Sequence, residues 1–478
     1  MQNKKSKKDE LDRIFSPRSV AVVGASENIK RSGYRFLKSF ITIGFKGSLY
    51  AINPSTDKVF HCPAYPRITD VPGNVDHVVV CVPSIHIPSI IQDCVDKSVN
   101  SVVVFSSEFS ETGTEEGRLL EEELVKIARK SHLRIIGPNC MGIYCPSSGL
   151  SFRLDMPKRS GTVAMISQSG GMAISSLLSA TERNIFFSKV ISYGNEADLG
   201  APELLEYLSV DDNTSIIMVY IEGTKNGREL FSALKKACSR KPVIVLKGGI
   251  SNAGARAVES HTGALSGIAN IWASAVNQSG GSQVYNLEEF IDTALAFNSL
   301  KRPKGRRLGI ITVSGGIGVN LSDLAIAMNF EVPLFSKEIE GQFAEIITAP
   351  GTGVQNPLDM AATYFIQNKF RSVFNIIDQD KSLDLIMMHI SMEYVSRFTE
   401  INPKLEDDLI NAVTGCYQRI EHPFFVVIPY TIDDDIRKNF IDKLLEHNIP
   451  IFPTIERALN AIDHCIRYYQ RIDSMQCL

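Results

Sequence analysis

The feature that most constrains this chain is a theme repeated from Ser19 onward: a short β-branched run ending in small or turn residues, then an amphipathic helical stretch. Such alternation builds parallel sheets with helices on their faces. The first runs fall at 19–23, 48–52, 77–81, 101–105 and 133–136, and they are apolar nearly end to end, as expected of strands covered on both sides. A second set follows the polar, proline-containing segment 146–160, with runs at 162–166, 189–191, 215–220 and 242–246. Past a basic linker, 301–307, a third set falls at 308–313, 383–388, 424–428 and 449–452. The spacing predicts an α/β fold of three consecutive doubly wound domains over 1–150, 151–301 and 302–478.

A length of 478 residues agrees with that division, at roughly 100–200 residues per domain. Fifty Lys and Arg against 53 Asp and Glu give a net charge of −3, so no basic excess exists to neutralise a nucleic-acid backbone, and such a partner is not expected. The basic run Lys4, Lys5, Lys7, Lys8 is short and not followed by an apolar stretch, which predicts a frayed terminus rather than a signal peptide or membrane anchor, and a cytoplasmic protein. Nine scattered cysteines with no CxxC pair predict free thiols and no metal site.

Ligands of open α/β sheets bind beyond the carboxyl ends of the strands, so the residues there carry the chemistry. Gly24, Ala25 and Ser26 follow the first run; they suit either close approach to a phosphate or a tight strand-to-helix connection. The dinucleotide glycine fingerprint is absent, since Glu27 and Asn28 stand where further glycines belong, which disfavours an NAD-dependent oxidoreductase. Asn53-Pro54, Val82-Pro83 and Gly137-Pro138-Asn139-Cys140 complete one rim, suited to an extended, phosphate-bearing ligand. In the second set Ser167, Gln168, Ser169, Gly170 and Gly171 form a helix start able to hold an anion, with Ser169 as an ordinary N-cap the alternative. Val313-Ser314-Gly315-Gly316 offers a similar start, open to packing or anion binding.

The stretch 247–267 holds one histidine, His261, among Gly, Ala and Ser residues, with no aliphatic run to bury it. It reads as a movable loop. Its imidazole is either solvated or a nucleophile toward phosphoryl groups, for which Glu222, just past the run at 215–220, offers an orienting carboxylate.

Gly24-Ala-Ser26, Gly137-Pro-Asn-Cys140, Ser167-Gln-Ser-Gly170, Ser192-Tyr-Gly-Asn195 and above all Glu259-Ser-His-Thr-Gly263 resemble the α subunit of NDP-forming acyl-CoA synthetases, the ADP-forming acetate–CoA ligases of the succinyl-CoA ligase superfamily. The likeness runs over residues 11–478, with Ser314-Gly-Gly316 and Asn356-Pro-Leu-Asp-Met360 matching the family's additional domain. It implies a Rossmann-like CoA-binding domain followed by two flavodoxin-like domains. CoA would contact Gly24, Ala25, Ser26, Asn53, Pro54, Val82, Pro83 and Asn139. His261 would be transiently phosphorylated, Glu222 would orient it, and Ser167 to Gly171 would hold phosphate. Glu108 departs from the family, standing where a glycine is expected before Phe109-Ser-Glu111-Thr-Gly113. No residues remain for an ATP-grasp module after three α/β units, so Mg2+ and ADP or ATP are expected on a separate ATP-grasp β subunit, in a heteromer such as α2β2. The competing expectation is a CoA-binding regulator without turnover, which the presence of both Glu222 and His261 disfavours.

Overall fold

The computed structural model describes residues 2–262, 268–348, 352–432 and 434–476, with side chains for all of these except 2–6, 259–262 and 476. The chain forms two compact units, Met1–Phe290 and Ile291–Leu478.

The first unit contains two sheets. One comprises β1 (Ser19–Val23), β2 (Ser48–Ile52), β3 (Lys58–Val59), β4 (Cys62–Tyr65), β5 (His77–Val80), β6 (Ser101–Val104) and β7 (Arg134–Ile136), in the order β3-β4-β2-β1-β5-β6-β7. All its pairs are parallel except β3 with β4. Without that edge ribbon the order is 3-2-1-4-5-6 in chain sequence, the Rossmann arrangement. Every residue of β1, β5 and β6 is buried, as their valine-rich runs demand. Each valine removed from water contributes about 1.5–3 kcal/mol.

The second sheet comprises β8 (Gly142–Tyr144), β9 (Val163–Ser167), β10 (Phe187–Ser192), β11 (Ile216–Ile221), β12 (Val243–Lys247) and β13 (Ser282–Val284), in the order β13-β12-β11-β9-β10-β8. β8 is antiparallel to β10; the rest read 2-1-3-4-5, the flavodoxin order. The second unit repeats that order with β14 (Leu308–Thr312), β15 (Leu358–Asp359), β16 (Leu385–His389), β17 (Phe424–Val427) and β18 (Ile451–Phe452), arranged β15-β14-β16-β17-β18. Three doubly wound sheets, one Rossmann-like and two flavodoxin-like, are what the sequence led us to expect.

Two expectations need correction. The terminus is not frayed: Gln2–Phe15 is a helix. Leu11, Ile14 and Phe15, spaced to share one helical face, are buried, and the Phe15 ring stacks on Tyr207 at 5.0 Å. Tyr207 also donates to Asp12 Oδ1 at 2.8 Å, and Arg134 to Glu10 Oε1 at 2.9 Å. Nor is 247–267 a loop throughout, because Asn252–Thr262 is helical. Its alanines favour helix, and Ser251 starts it by accepting from the Gly254 amide at 3.1 Å. Residues 263–267 lie outside the described residues. Among the described residues no helix is long and apolar enough to cross a membrane, and no group of His, Cys, Asp and Glu is arranged to hold a metal ion.

Candidate active site

The strand ends of the first sheet build a rim from close backbone approaches. Gly24 has φ 81°, and a Cβ there would lie 2.8 Å from the Cys81 carbonyl oxygen. The helix Ser32–Ile43 rests directly on this turn, since a Cβ at Gly33 would come within 2.0 Å of the Gly24 oxygen. Asn53 Nδ2 donates to the Ala25 carbonyl at 2.9 Å, while its Oδ1 accepts from the Ser55 amide at 2.9 Å. The Ser26 hydroxyl oxygen accepts from the Asn28 amide at 3.1 Å. Gly24, Ala25, Ser26, Asn53 and Pro54 therefore form one connected turn system beyond β1 and β2.

Beside it opens a cavity of about 450 Å3, lined by Val82, Pro83, Ser84, Ser106, Glu108 and Asn139 among others. Three expected CoA contacts, Val82, Pro83 and Asn139, meet here; the β1–β2 turn residues do not line it. Glu108 has φ 80°, a left-handed backbone that glycine adopts freely and a side chain resists. That is the physical reason a glycine is expected at this position. The Glu108 carboxylate turns to Ser84, whose hydroxyl donates to Oε2 at 2.7 Å. Met141, which also lines the cavity, abuts the second sheet: its amide donates to Ser192 Oγ at 3.1 Å, and a Cβ on Gly170 would lie 2.5 Å from its Cγ.

Gly170 opens the helix Gly170–Thr181 that follows β9. Ser167 is fully buried, and its hydroxyl donates to the Ser169 carbonyl at 2.7 Å. Ser169 is the N-cap, accepting from the Met172 amide at 3.3 Å. The amides of Gly170 and Gly171 sit in the first turn, where a helix has no internal acceptors for them, and Gly171 is exposed. Gln168 does not face the helix start. Its Oε1 accepts from the amides of Glu222 and Gly223, the latter at 3.0 Å, and its Nε2 donates to the Gly223 carbonyl at 3.1 Å. This amide clasps the ends of β9 and β11, the strands that flank the reversal in sheet order where such folds bind ligands.

Glu222 is the centre of this crevice. It is 6% exposed; Oε1 accepts from the Tyr220 hydroxyl at 3.1 Å, whereas Oε2 has no hydrogen-bond partner among the described residues. A buried carboxylate oxygen without a donor costs about 1–3 kcal/mol or more, so its retention points to a donor supplied in function. The hydroxyl of fully buried Tyr193, just after β10, is likewise unpartnered. The backbone of His261 lies in the helix Asn252–Thr262, which follows β12 and packs beside the turn Ser110–Thr112 of the first sheet's domain; its imidazole lies outside the described residues. A larger cavity of about 890 Å3 continues from Gln168 and Gly223 past Asn195, Glu196 and Lys225. Asn195 Nδ2 donates to Glu121 Oε2 at 3.0 Å across it, and burial pushes the Glu196 carboxyl up.

Two features escaped sequence reasoning. Tyr220 bonds the candidate carboxylate two residues on, a contact that the strand's period of two allows by placing both residues on one face. Lys247 ends β12 and is 4% exposed; its Nζ donates to the carbonyls of Glu222, at 2.8 Å, and Gly248. A lysine closing an otherwise apolar buried strand was the available signal.

Residues 18–146 match the model of a CoA binding domain, and 160–297 that of a succinyl-CoA ligase like flavodoxin domain. The chain is 32% identical to the acetate–CoA ligase (ADP-forming) I subunit alpha of Pyrococcus furiosus over 95% of this chain and 96% of that one. It is 35% identical to the acetate–CoA ligase (ADP-forming) I of Archaeoglobus fulgidus over 79% of this chain, an alignment that spans only 54% of that longer protein. A solved structure of the dinucleotide forming acetyl-coenzyme A synthetase 1 of Ca. Korarchaeum cryptofilum, in complex with phosphate and ADP, superposes with a TM-score of 0.85 at 30% identity, covering 98% of this chain and 99% of that one. The chain therefore belongs to the ADP-forming acetate–CoA ligase family and is similar to its α subunits, with a CoA-binding domain joined to succinyl-CoA ligase-like flavodoxin architecture.

Proposed function

We propose that this chain is the acyl- and phosphoryl-handling half of an ADP-forming acyl-CoA synthetase, with its domains divided at 1–150, 151–301 and 302–478 and its work done in the cytoplasm. CoA occupies the strand-end rim of the first domain, from the Gly24-Ala25-Ser26 and Asn53-Pro54 turns to Val82, Pro83 and Asn139. Met141, which lines the cavity beside that rim, packs against Gly170, so a thioester there reaches toward the first-turn amides of Gly170 and Gly171.

A phosphate oxygen attacks the thioester carbonyl, the C–S bond breaks, and CoA leaves as its thiolate with an acyl phosphate formed. An imidazole nitrogen of His261 then attacks phosphorus and the P–O bond to the carboxylate breaks, releasing the acid. Glu222 Oε2 accepts the N–H of the other ring nitrogen and stabilises the positive charge that develops on the ring. Ser167, Gln168, Ser169, Gly170 and Gly171 form the phosphate-side wall: the two glycine amides face the anion, aided by the positive end of the helix, while Gln168 holds the Glu222 backbone. Attack by the β-phosphate of ADP, carried with Mg2+ on a separate ATP-grasp β subunit, breaks the N–P bond and yields ATP.

The observation that carries this reading is the buried Glu222 carboxylate with one oxygen unpartnered, in the crevice that also presents the Gly170 and Gly171 amides. Intact-protein mass spectrometry after incubation with acetyl-CoA and phosphate tests it. We expect an acid-labile gain of one phosphoryl group that His261→Ala abolishes. CoA binding without any gain, across a panel of acyl-CoAs and with the β subunit added, would leave a regulator in its place.

A further inference from the structure

Two lysines are buried in the second sheet, and they differ in one respect. Lys189 in β10 is 4% exposed and is neutralised by an ion pair with Asp211, itself buried. Lys247 at the end of β12 is equally buried, but among the described residues no carboxylate pairs with it. Its ammonium spends two N–H bonds on the backbone carbonyls of Glu222 and Gly248, and its Nζ lies 5.1 Å from the centroid of the Trp272 ring. Burial lowers its pKa to about 8.

A lone buried cation is costly, and substitution by an apolar residue relieves the cost, so structure alone does not account for a lysine here. Its position does. Lys247 pairs in register with Ile221, one residue before Glu222, so its ammonium sits on the backbone that carries the unpartnered carboxylate oxygen. One end of this sheet thus holds a buried anion and a buried cation, each with bonding capacity left over and neither satisfying the other's charged group.

We propose that Lys247 is a positioning residue of the phosphoryl-transfer centre. Its ammonium fixes the ends of β11 and β12 through the Glu222 and Gly248 carbonyls and supplies the positive charge that keeps Glu222 from repelling an incoming phosphoryl group. The inference rests on the functional reading above and assigns a role to a residue that reading does not use.

The test follows phosphorylation of the full chain, with its β subunit present, from acetyl-CoA over a range of phosphate concentrations, for wild type, Lys247→Met and Lys247→Arg. In K247M we expect half-saturating phosphate to rise about 10-fold and the limiting rate to fall about 10-fold, the scale of one unit charge a few ångströms from an anion in a partly screened site. K247R should recover to within about 3-fold, since a guanidinium restores both charge and donors. CoA affinity should be unchanged in both variants. The melting temperature of K247M should hold, in contrast to Lys189→Met, which strands the buried Asp211 carboxylate and should melt early.

Wild-type phosphate dependence in K247M would overturn the proposal, as would a rate loss that tracks a fall in melting temperature and is not rescued by arginine. Absence of phosphorylation in the wild type would instead overturn the functional reading and this inference with it.

Discussion

The two flavodoxin-like sheets share one strand order and similar helix starts, Ser167-Gln-Ser169-Gly170 after β9 and Val313-Ser314-Gly315-Gly316 after β14, yet their crevices are furnished differently. After β9 the serine caps its helix, Gln168 clasps the neighbouring strand end, and the crevice holds the Glu222 carboxylate, with the Lys247 ammonium bonded to the Glu222 backbone carbonyl. After β14, Ser314 makes no side-chain cap bond, and a Cβ on Gly315 would lie 3.0 Å from Asp359 Oδ2. The third strand of that sheet ends in His389, 5% exposed, whose carbonyl accepts from the Tyr364 hydroxyl at 3.0 Å and whose Nδ1 is unpartnered. Burial lowers its pKa to about 4. Topology supplies two crevices of one kind, and the residues at the strand ends decide that one of them holds an unpaired carboxylate and ammonium and the other a neutral imidazole.

The largest way to break this contrast is Glu222→Gln. It keeps shape and the Tyr220 contact but removes the charge, so phosphohistidine formation followed by rapid quench should slow about 100-fold or more, with little change in melting temperature. Substitution of His389 should leave that rate untouched.

The second test uses pH. Below 6.5 the unfolded chain binds a proton at His389 that the folded chain refuses until about 4, so stability is lost as pH falls through that window, by about 3 kcal/mol at its lower end. Chemical denaturation of His389→Leu at pH 7 and pH 4.5 should show this acid sensitivity reduced. His77, buried in β5 with its pKa also lowered to about 4, keeps a 2.8 Å contact with Ser101 Oγ, so its leucine variant should lose more stability at pH 7 than that of His389.

Gln168→Ala removes an amide that spans β9 and β11 and leaves the Glu222 and Gly223 amides without acceptors. It should cost about 2–3 kcal/mol in denaturant titrations and slow phosphorylation as Glu222 loses its support. The smallest effects should separate the two helix starts most cleanly. Ser169→Ala loses a cap bond and should cost about 1 kcal/mol, whereas Ser314→Ala should cost next to nothing.

Much of this was legible in the sequence, for physical reasons. The long strands announce themselves because residues buried on both faces must be apolar, and the crevice residues follow because strand ends are where the backbone turns. Short edge strands did not: β15 has two residues and β8 three, too few for any period to register. The N-terminal helix hid behind its lysines, although Leu11, Ile14 and Phe15 already carried the helical spacing. The helix Asn252–Thr262 was misread because small residues suggest a loop, while alanine, the commonest of them there, is the best helix former. Lys247 and Tyr220 needed three dimensions, since their importance lies in which neighbour's atoms they reach.

The central claim is that phosphoryl transfer belongs to the crevice of the second sheet. Peptide-level mapping of the acid-labile phosphate, after reaction with acetyl-CoA and phosphate under alkaline handling, tests it most directly. The account predicts phosphate on the peptide containing His261 and its near disappearance in Glu222→Gln. Phosphate on a peptide containing His389, or labelling of His261 indifferent to the loss of the Glu222 charge, would contradict it.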